Sequence, residues 1–533
     1  MIDLELPLEL SSEPPAFVSA ESAQEWLERL PLANSPQAQV VLARQLELLA
    51  GTALSLDQRL RIIEVLREPV LFVQQECLRR FAARPLPLSP AEQSAYESSL
   101  GLWRMLETNY LLCLQNSLAG QLPDRTALAA QRAVAAKTGE LLTHCAAGYL
   151  APAVYWSRLH QIYRAAEALQ VCLHTVIDDL NPNAETTLAA AYVEPLLLAA
   201  AQPLELTPRQ FDLVARWARR WATKVSVLAV APRGAKTPPL PVNLASGEAI
   251  GLVDAPPQGE ADWRWLEVTE LRKTLKRRLQ GLANGESPES LQLGGDCLQP
   301  ECEELLLRIY RLWCKQGAGS LKEPRPSEDC ELVAGFVDMH FFISGDVFSQ
   351  PGVTSRLSKR EHEEIATFGS IVTRHREESR QKFSTESWQA RARGVADMQL
   401  SRSLEQAGAR IARGQLLALR PQGASGFMLA VVRSLMIAGD EGQLKLGVRL
   451  LAGTPSAVAL RCTGLAVGKD DFCQGFRLPG MEQLQEPASI VMPSGYFRPG
   501  RIIEIYTDCL RQVRLIRILE RGADFERASF EWK

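Results

Sequence analysis

The sequence predicts a multidomain α+β chain, a large all-α N-terminal region followed by a C-terminal antiparallel β-barrel. Three observations point there. The 533 residues exceed what one hydrophobic core organises, so two to four domains are expected. From about Ala20 to Thr223 apolar residues recur at three- and four-residue intervals, the period of a helix face. From about Glu331 the period shifts towards 2, in short runs separated by glycines, prolines and polar turns at roughly ten-residue spacing. The expected divisions are 1–223, helical; 224–325, a small β insertion with helices and a linker; 326–466, the barrel with its leading segment; and 467–533, further strands. These last strands either complete the first barrel or build a second.

The helical elements follow from caps and breakers. Glu21 to Leu30 has Ser19 or Ser22 as a cap, and Ser35 can cap a helix towards Leu49 with Pro36 at its first position. Leu56 to Arg67, Asn109 to Leu118, Thr126 to Tyr149 and Ala151 to Leu180 are leucine- and alanine-rich, as helices prefer. Prolines 85, 87, 90, 123, 152, 182, 203 and 208 fall between segments or near helix starts. No 34-residue self-similarity holds over three units. Tyr149, Trp156, His160 and Tyr163 share a helix face and read as a core stripe, and His160 and His174 as satisfied core histidines. This half shows no catalytic pattern and is expected to contact a protein partner.

After Thr223 the character changes. Lys224 to Ala231 is rich in β-branched residues and reads as a strand, Ile250 to Asp254 as a second, with a proline-rich loop between. Trp265 to Ala283 reads as helix, its basic cluster Arg272 to Arg278 as a solvated face. A polar linker, 284–300, precedes a helix from Glu303 to Gln316. Leu332 to Ile343 fits a strand or a buried helix. Strands are expected at Ser387 to Asp397, Gln415 to Leu419, Phe427 to Ile437, Leu444 to Leu451, Ala457 to Ala466, Ala488 to Met492, Arg501 to Tyr506 and Cys509 to Glu520. Tyr496, Phe497 and Arg498 read as a packed turn. No order of segments suggests a βαβ nucleotide fold.

Charge narrows the partners. A formal net charge of −3 excludes a globally basic nucleic-acid binder. The charge is uneven, however. Residues 1–60 carry nine acidic and three basic side chains, whereas 355–420 carry thirteen basic and eight acidic, net +5. A basic stretch in an acidic protein suits an anionic ligand. The N-terminus lacks a basic, apolar leader, and no window approaches eighteen apolar residues, so a cytoplasmic protein without membrane insertion is expected. The eleven cysteines are scattered. Cys297 and Cys302 are the closest pair, and reduced, buried thiols are the expected state rather than zinc ligands. No phosphate loop, nucleophile elbow, HExxH or metal constellation is present. His340, His362 and His375 are too widely spaced to form one, so an enzyme is not expected.

The basic stretch carries an ordered set of elements. Arg376-Glu-Glu-Ser-Arg380 forms RxxxR, preceded by Arg374. Trp388 opens a strand, and Ala396 to Arg402 occupies a turn. Then come Gly414 to Leu419, Leu429 to Arg433 (LAVVR) and Leu446 to Leu451 (LGVRLL). This series resembles the PilZ family of cyclic di-GMP receptors over residues 370–466, under a fifth of the chain. The family's (D/N)xSxxG turn is degenerate here, with Gln399 at the serine position and Arg402 at the glycine. The resemblance implies a PilZ-like β-barrel and a bacterial signalling regulator with cyclic di-GMP as ligand and no other cofactor. By position, Arg374, Arg376 and Arg380 would grip phosphate or stack on guanine, and Asp397, Gln399 and Ser401 would complete the pocket with hydrogen bonds. Arginine suits this ligand because its planar fork donates bidentately to phosphate and to the guanine O6/N7 edge. The alternative implied by the degenerate turn is a ligand-independent adaptor that acts through protein contacts.

Overall fold

The computed structural model describes residues 13–115, 122–178, 185–232, 237–251, 261–315, 327–351, 383–392, 396–463 and 472–533, with 6, 180 and 394 singly. The chain divides into two compact units: Met1–Arg84 with Leu88–Lys322 and Ala438–Asp440, and Pro85–Pro87 with Glu323–Ile437 and Glu441–Lys533.

The first unit begins with α1 (Ala20–Leu27), α2 (Ser35–Ala50), α3 (Leu56–Leu78), α4 (Pro90–Gln115), α5 (Pro123–Ala147) and α6 (Ala153–Ala168). Local chemistry sets the starts. Ser19 with Ser22 and Ser55 with Gln58 build reciprocal capping boxes, and each satisfies two backbone donors that a bare helix end would strand. The cap of α2 is Asn34 rather than Ser35, because the Asn34 side chain accepts from the Gln37 amide while Ser35 is already helical. Helix α6 stops at Ala168, well short of Leu180. A hairpin follows, β1 (Thr175–Ile177) against β2 (Glu185–Thr187), so His174 lies half-exposed in the connection instead of in the core. Next come α7 (Leu188–Ala200) and α8 (Pro208–Trp221), the latter capped by Thr207 and Gln210.

The middle region is a three-stranded sheet in the order β3 (Ser226–Leu228), β5 (Trp263–Glu267), β4 (Leu240–Asn243). Here the sequence expectations shift in detail. Ile250 and Gly251 are not strand, and 252–254 lie outside the described residues. The second strand is instead β4, inside the proline-rich loop, with Pro241 on an edge strand, where its missing N–H costs no ladder bond. Trp263–Glu267 is strand, and the helix, α9 (Thr269–Ala283), starts after it. α10 (Glu301–Cys314) closes the unit. The Cys297 and Cys302 sulfurs form a disulfide, which corrects the expectation of reduced thiols at this pair. Nine other cysteines are free.

Among the described residues, the ten helices and the sheet share one core, in which Trp217 and Trp221 stack with centroids 5.7 Å apart and Trp313 meets Trp221 edge-on. Two of the three indole donors are satisfied by backbone, Trp217 to Leu293 O at 2.9 Å and Trp313 to Leu197 O at 2.8 Å. The basic cluster of α9 is only partly solvated. Arg278 donates to Leu291 O and lies over the Trp221 ring, and Arg272 donates to the Thr237 hydroxyl.

The second unit holds two closed six-stranded barrels. The first contains β6 (Glu328–Ala334), β7 (Glu386–Ala392), β8 (Asp397–Ser403), β9 (Leu416–Pro421), β10 (Met428–Ala438) and β11 (Gln443–Leu450), with α11 (Phe336–Ser344) after β6. Thus the ambiguous run 332–343 is both strand and helix, broken at Gly335, whose φ of +91° disfavours a side chain. The second barrel contains β12 (Ser456–Cys462), β13 (Cys473–Leu478), β14 (Ser489–Pro493), β15 (Ile502–Tyr506), β16 (Leu510–Arg521) and β17 (Phe525–Trp532). Strand β12, counted with the first barrel in the sequence division at 466, pairs with β13 and β15 of the second.

An apolar seam joins the barrels. Val333, Leu416, Leu429, Val431 and Leu451 of the first pack with Phe476, Leu478, Val491 and Phe525 of the second, and Met339 of α11 joins them. The β16–β17 hairpin end docks on the first barrel. Ala523 N–H donates to Gly414 O at 2.8 Å and the Asp524 carboxylate accepts from Leu416 N–H at 2.9 Å.

Candidate functional site

Strand geometry sorts the predicted site residues. Residues 396–402 were expected to form a turn, and Asp397–Ser403 form strand β8 instead. The reason is alternation: Met398, Leu400 and Arg402 face one side, with Leu400 and Arg402 buried, and Asp397, Gln399 and Ser401 face the other. Arg402 therefore adopts extended backbone with no left-handed strain, contrary to what a turn glycine position requires. Arg374, Arg376 and Arg380 lie outside the described residues.

The ladder brings the other three predicted residues into one row with basic neighbours. On β11, Asp397 is opposite Arg449, Gln399 opposite Gly447 and Ser401 opposite Lys445. On β7, Gln399 is opposite Arg391 and Ser401 opposite Gln389. Gly447 permits a close approach here, since a Cβ would stand 2.3 Å from the Ser434 hydroxyl of neighbouring β10. Arg433, one residue before Ser434, reaches the Asp397 end of this row. Burial lowers its pKa, and the Arg449 charge acts in the same direction, while Glu520 and Asp397 oppose both. Glu520 comes from β16 of the second barrel. Its carboxylate accepts from Arg433 Nη2 at 2.8 Å and from Arg449 Nη2 at 2.6 Å. The row therefore carries guanidinium groups, an acid, an amide and a hydroxyl on a rigid face, a donor set that can hold an anion and read a planar polar edge.

Arg402 serves the opposite side of the strand. Its guanidinium lies 4.9 Å from the centre of the Trp388 ring and donates to Glu386 at 3.0 Å. Glu386 also accepts from the Trp388 indole N–H at 3.0 Å and the Ala409 N–H at 2.6 Å. Beside them opens a cleft of about 600 Å³, lined by Asp338, Ser384, Thr385, Glu386, Arg402 and Gln406 among others. Residues 384 and 385 follow Arg380 closely in sequence. Burial raises the Asp338 pKa.

The helical unit holds a polar cluster that sequence reasoning missed. Lys137 Nζ meets Glu140 at 2.5 Å and Glu107 at 3.6 Å, and all three are buried. Arg104 donates to Glu140 at 2.7 Å, and Arg158 stands 3.8 Å from Glu107. His144 Nδ1 pairs with the Tyr96 hydroxyl at 2.7 Å. The available signal was a lysine and a glutamate at i, i+3 inside an alanine-rich run, where no solvated face exists to take them. His160 fits its core reading, with Nδ1 against Tyr192 OH at 2.7 Å and Nε2 against Glu248 O at 2.8 Å.

Among the described residues no group of three metal-ligating side chains converges, and no helix is long and apolar enough to cross a membrane. Residues 21–232 match the family model described as cyclic-di-GMP receptor FimW, N-terminal domain, and residues 458–532 match the FimW C-terminal beta-barrel domain. The second match spans nearly the whole second barrel. No solved structure matches. A curated relative, the cyclic-di-GMP receptor FimW of Pseudomonas aeruginosa, is 21% identical over 538 residues, covering 90% of this chain and 85% of its own. The relative's name is that of a receptor. This chain is similar, in its helical half and in its second barrel, to a cyclic-di-GMP receptor family.

Proposed function

We propose that this chain is a signalling regulator whose first barrel binds cyclic di-GMP and whose helical unit contacts a protein partner. The observation that carries the reading is the row Asp397, Gln399 and Ser401 set against Arg391, Arg449 and Lys445 on one barrel face, in a chain similar to a protein named as a cyclic-di-GMP receptor. The ligand has two phosphates and two guanines. Guanidinium groups supply bidentate donors to both, and Asp397, Gln399 and Ser401 supply the hydrogen bonds that the PilZ resemblance implies. Arg374, Arg376 and Arg380 complete the set of residues proposed to hold the ligand.

The test is calorimetric titration of the full chain with cyclic di-GMP, repeated on an Arg376→Ala/Arg380→Ala double variant and on Asp397→Ala. Saturable binding that is lost in the variants, with unchanged melting temperature, supports the reading. No binding by the unaltered chain at about 100 μM ligand, well above a micromolar Kd of roughly −8 kcal/mol, refutes it. That result would favour a ligand-independent adaptor, a reading to which the Glu520 carboxylate already seated on Arg433 and Arg449 lends support.

A further inference from the structure

The Arg433–Glu520–Arg449 contact has the geometry of an occupied anion site. Two guanidinium groups from adjacent strands β10 and β11 converge on the two oxygens of one carboxylate, Arg433 on Oε1 and Arg449 on Oε2. The carboxylate is mostly buried, with a side chain 11% exposed, whereas Arg433 is half-exposed and Arg449 a little over one-third. Both cations thus remain partly open to solvent. Arg449 Nε is buried without a hydrogen-bond partner among the described residues, so the pair retains donor capacity that Glu520 does not use. Glu520 is delivered by an irregularity. The ladder between β16 and β17 shifts register between Ile518 and Glu520, and such a bulge re-aims side chains.

We propose that Arg433 and Arg449 form a phosphodiester-binding pair, and that Glu520 is its built-in competitor, occupying the place of a phosphate until ligand displaces it. This rests on the reading of the first barrel as the cyclic di-GMP receiver. Charge supports the exchange. Arg433, Arg449, Glu520 and Asp397 together sum to zero, and a phosphodiester carries the same single negative charge as the carboxylate it replaces. Displacement frees the second barrel's β16–β17 hairpin end from one of its tethers to the first barrel, leaving the Ala523–Gly414 and Asp524–Leu416 hydrogen bonds to hold it. Ligand binding is thereby converted into a loosening between barrels.

The experiment titrates cyclic di-GMP into the full chain, its Glu520→Gln variant and its Arg433→Ala/Arg449→Ala variant. It also follows amide hydrogen exchange of Ala523 and Leu416 in the unaltered chain. With the competitor neutralised, affinity should rise about tenfold, whereas the double arginine variant should lose binding. Saturating ligand should speed exchange at both amides. Binding by the unaltered chain with Glu520→Gln equal or weaker, or with unchanged exchange, overturns the competitor and leaves the ligand reading standing. Binding by neither the unaltered chain nor Glu520→Gln overturns both. The exchange measurement carries the test should Glu520→Gln fail to fold.

Discussion

Replacing Glu107 by glutamine should stabilise the helical unit at pH 8 and do much less at pH 5. Glu107 is buried, and its nearest cations, Lys137 and Arg158, stand 3.6 and 3.8 Å away. Burial pushes its carboxyl up to about 7 from 4.5, since these cations only partly offset the lost hydration and Glu140 repels it. Glu140 competes better for Lys137. Burial raises its pKa too, but His144, Lys137 and Arg104 reverse that and hold it down at about 2. Between pH 4.5 and 7, folding therefore takes up a proton at Glu107, and stability falls as pH rises through that window. At ~1.4 kcal/mol per unit, 2.5 units amount to about 3 kcal/mol by pH 8, with under 1 kcal/mol already present at pH 5. Glutamine resembles the protonated acid and removes this dependence, so the variant should gain about 2–3 kcal/mol more at pH 8 than at pH 5. The Glu140 window lies below pH 4.5 and does not enter. Guanidinium unfolding followed by tryptophan fluorescence suits the measurement, because eight of the ten tryptophans lie in the helical unit. A variant destabilised equally at both pH values, or more at pH 8, would refute the reasoning.

Two further perturbations test packing. His160→Ala should cost about 3 kcal/mol, because it empties a fully buried site and strands the Tyr192 hydroxyl and the Glu248 carbonyl. The same unfolding assay checks it, and a loss under about 1 kcal/mol would contradict the bonding described. Gly522→Ala should destabilise the barrel unit by about 1–3 kcal/mol, since a Cβ there would stand 2.3 Å from Gly414 O and 2.1 Å from the Phe525 ring. Faster amide exchange across β9 and β17 is the expected result, and unchanged exchange would show that the hairpin docks by another route.

Much of this architecture was legible in the sequence, and three of the exceptions share a cause. The shift from helical to alternating period, the alanine-rich helices and most barrel strands follow from side-chain periodicity alone. Strand β8 was hidden because its solvent row, Asp397, Gln399 and Ser401, reads as turn chemistry, while one of its inward positions is an arginine neutralised by Glu386. Strand β17 was hidden similarly. Glu526 and Arg527 are buried in it, the first accepting from the Gly495 and Phe497 amides and the second paired with Glu486 and Ser489. A polar residue whose partner is distant in sequence defeats pattern reading, since the compensation is visible only in three dimensions. The same holds for Glu520: nothing near it in sequence marks it as the partner of Arg433 and Arg449.

The apolar seam makes each barrel part of the other's interior. Phe476 and Phe525, both fully buried, would face water if the first barrel were absent, and Leu429 and Val431 would do so without the second. The two barrels therefore melt as one thermodynamic body, although each closes its own ring of strands. Whatever binds one protects both: at a ligand concentration one hundred times Kd, mass action adds about 2.7 kcal/mol to the unfolding free energy of the whole pair. A binding event on the first barrel thus reads out as thermal protection of the second, although each barrel closes a separate ring of strands.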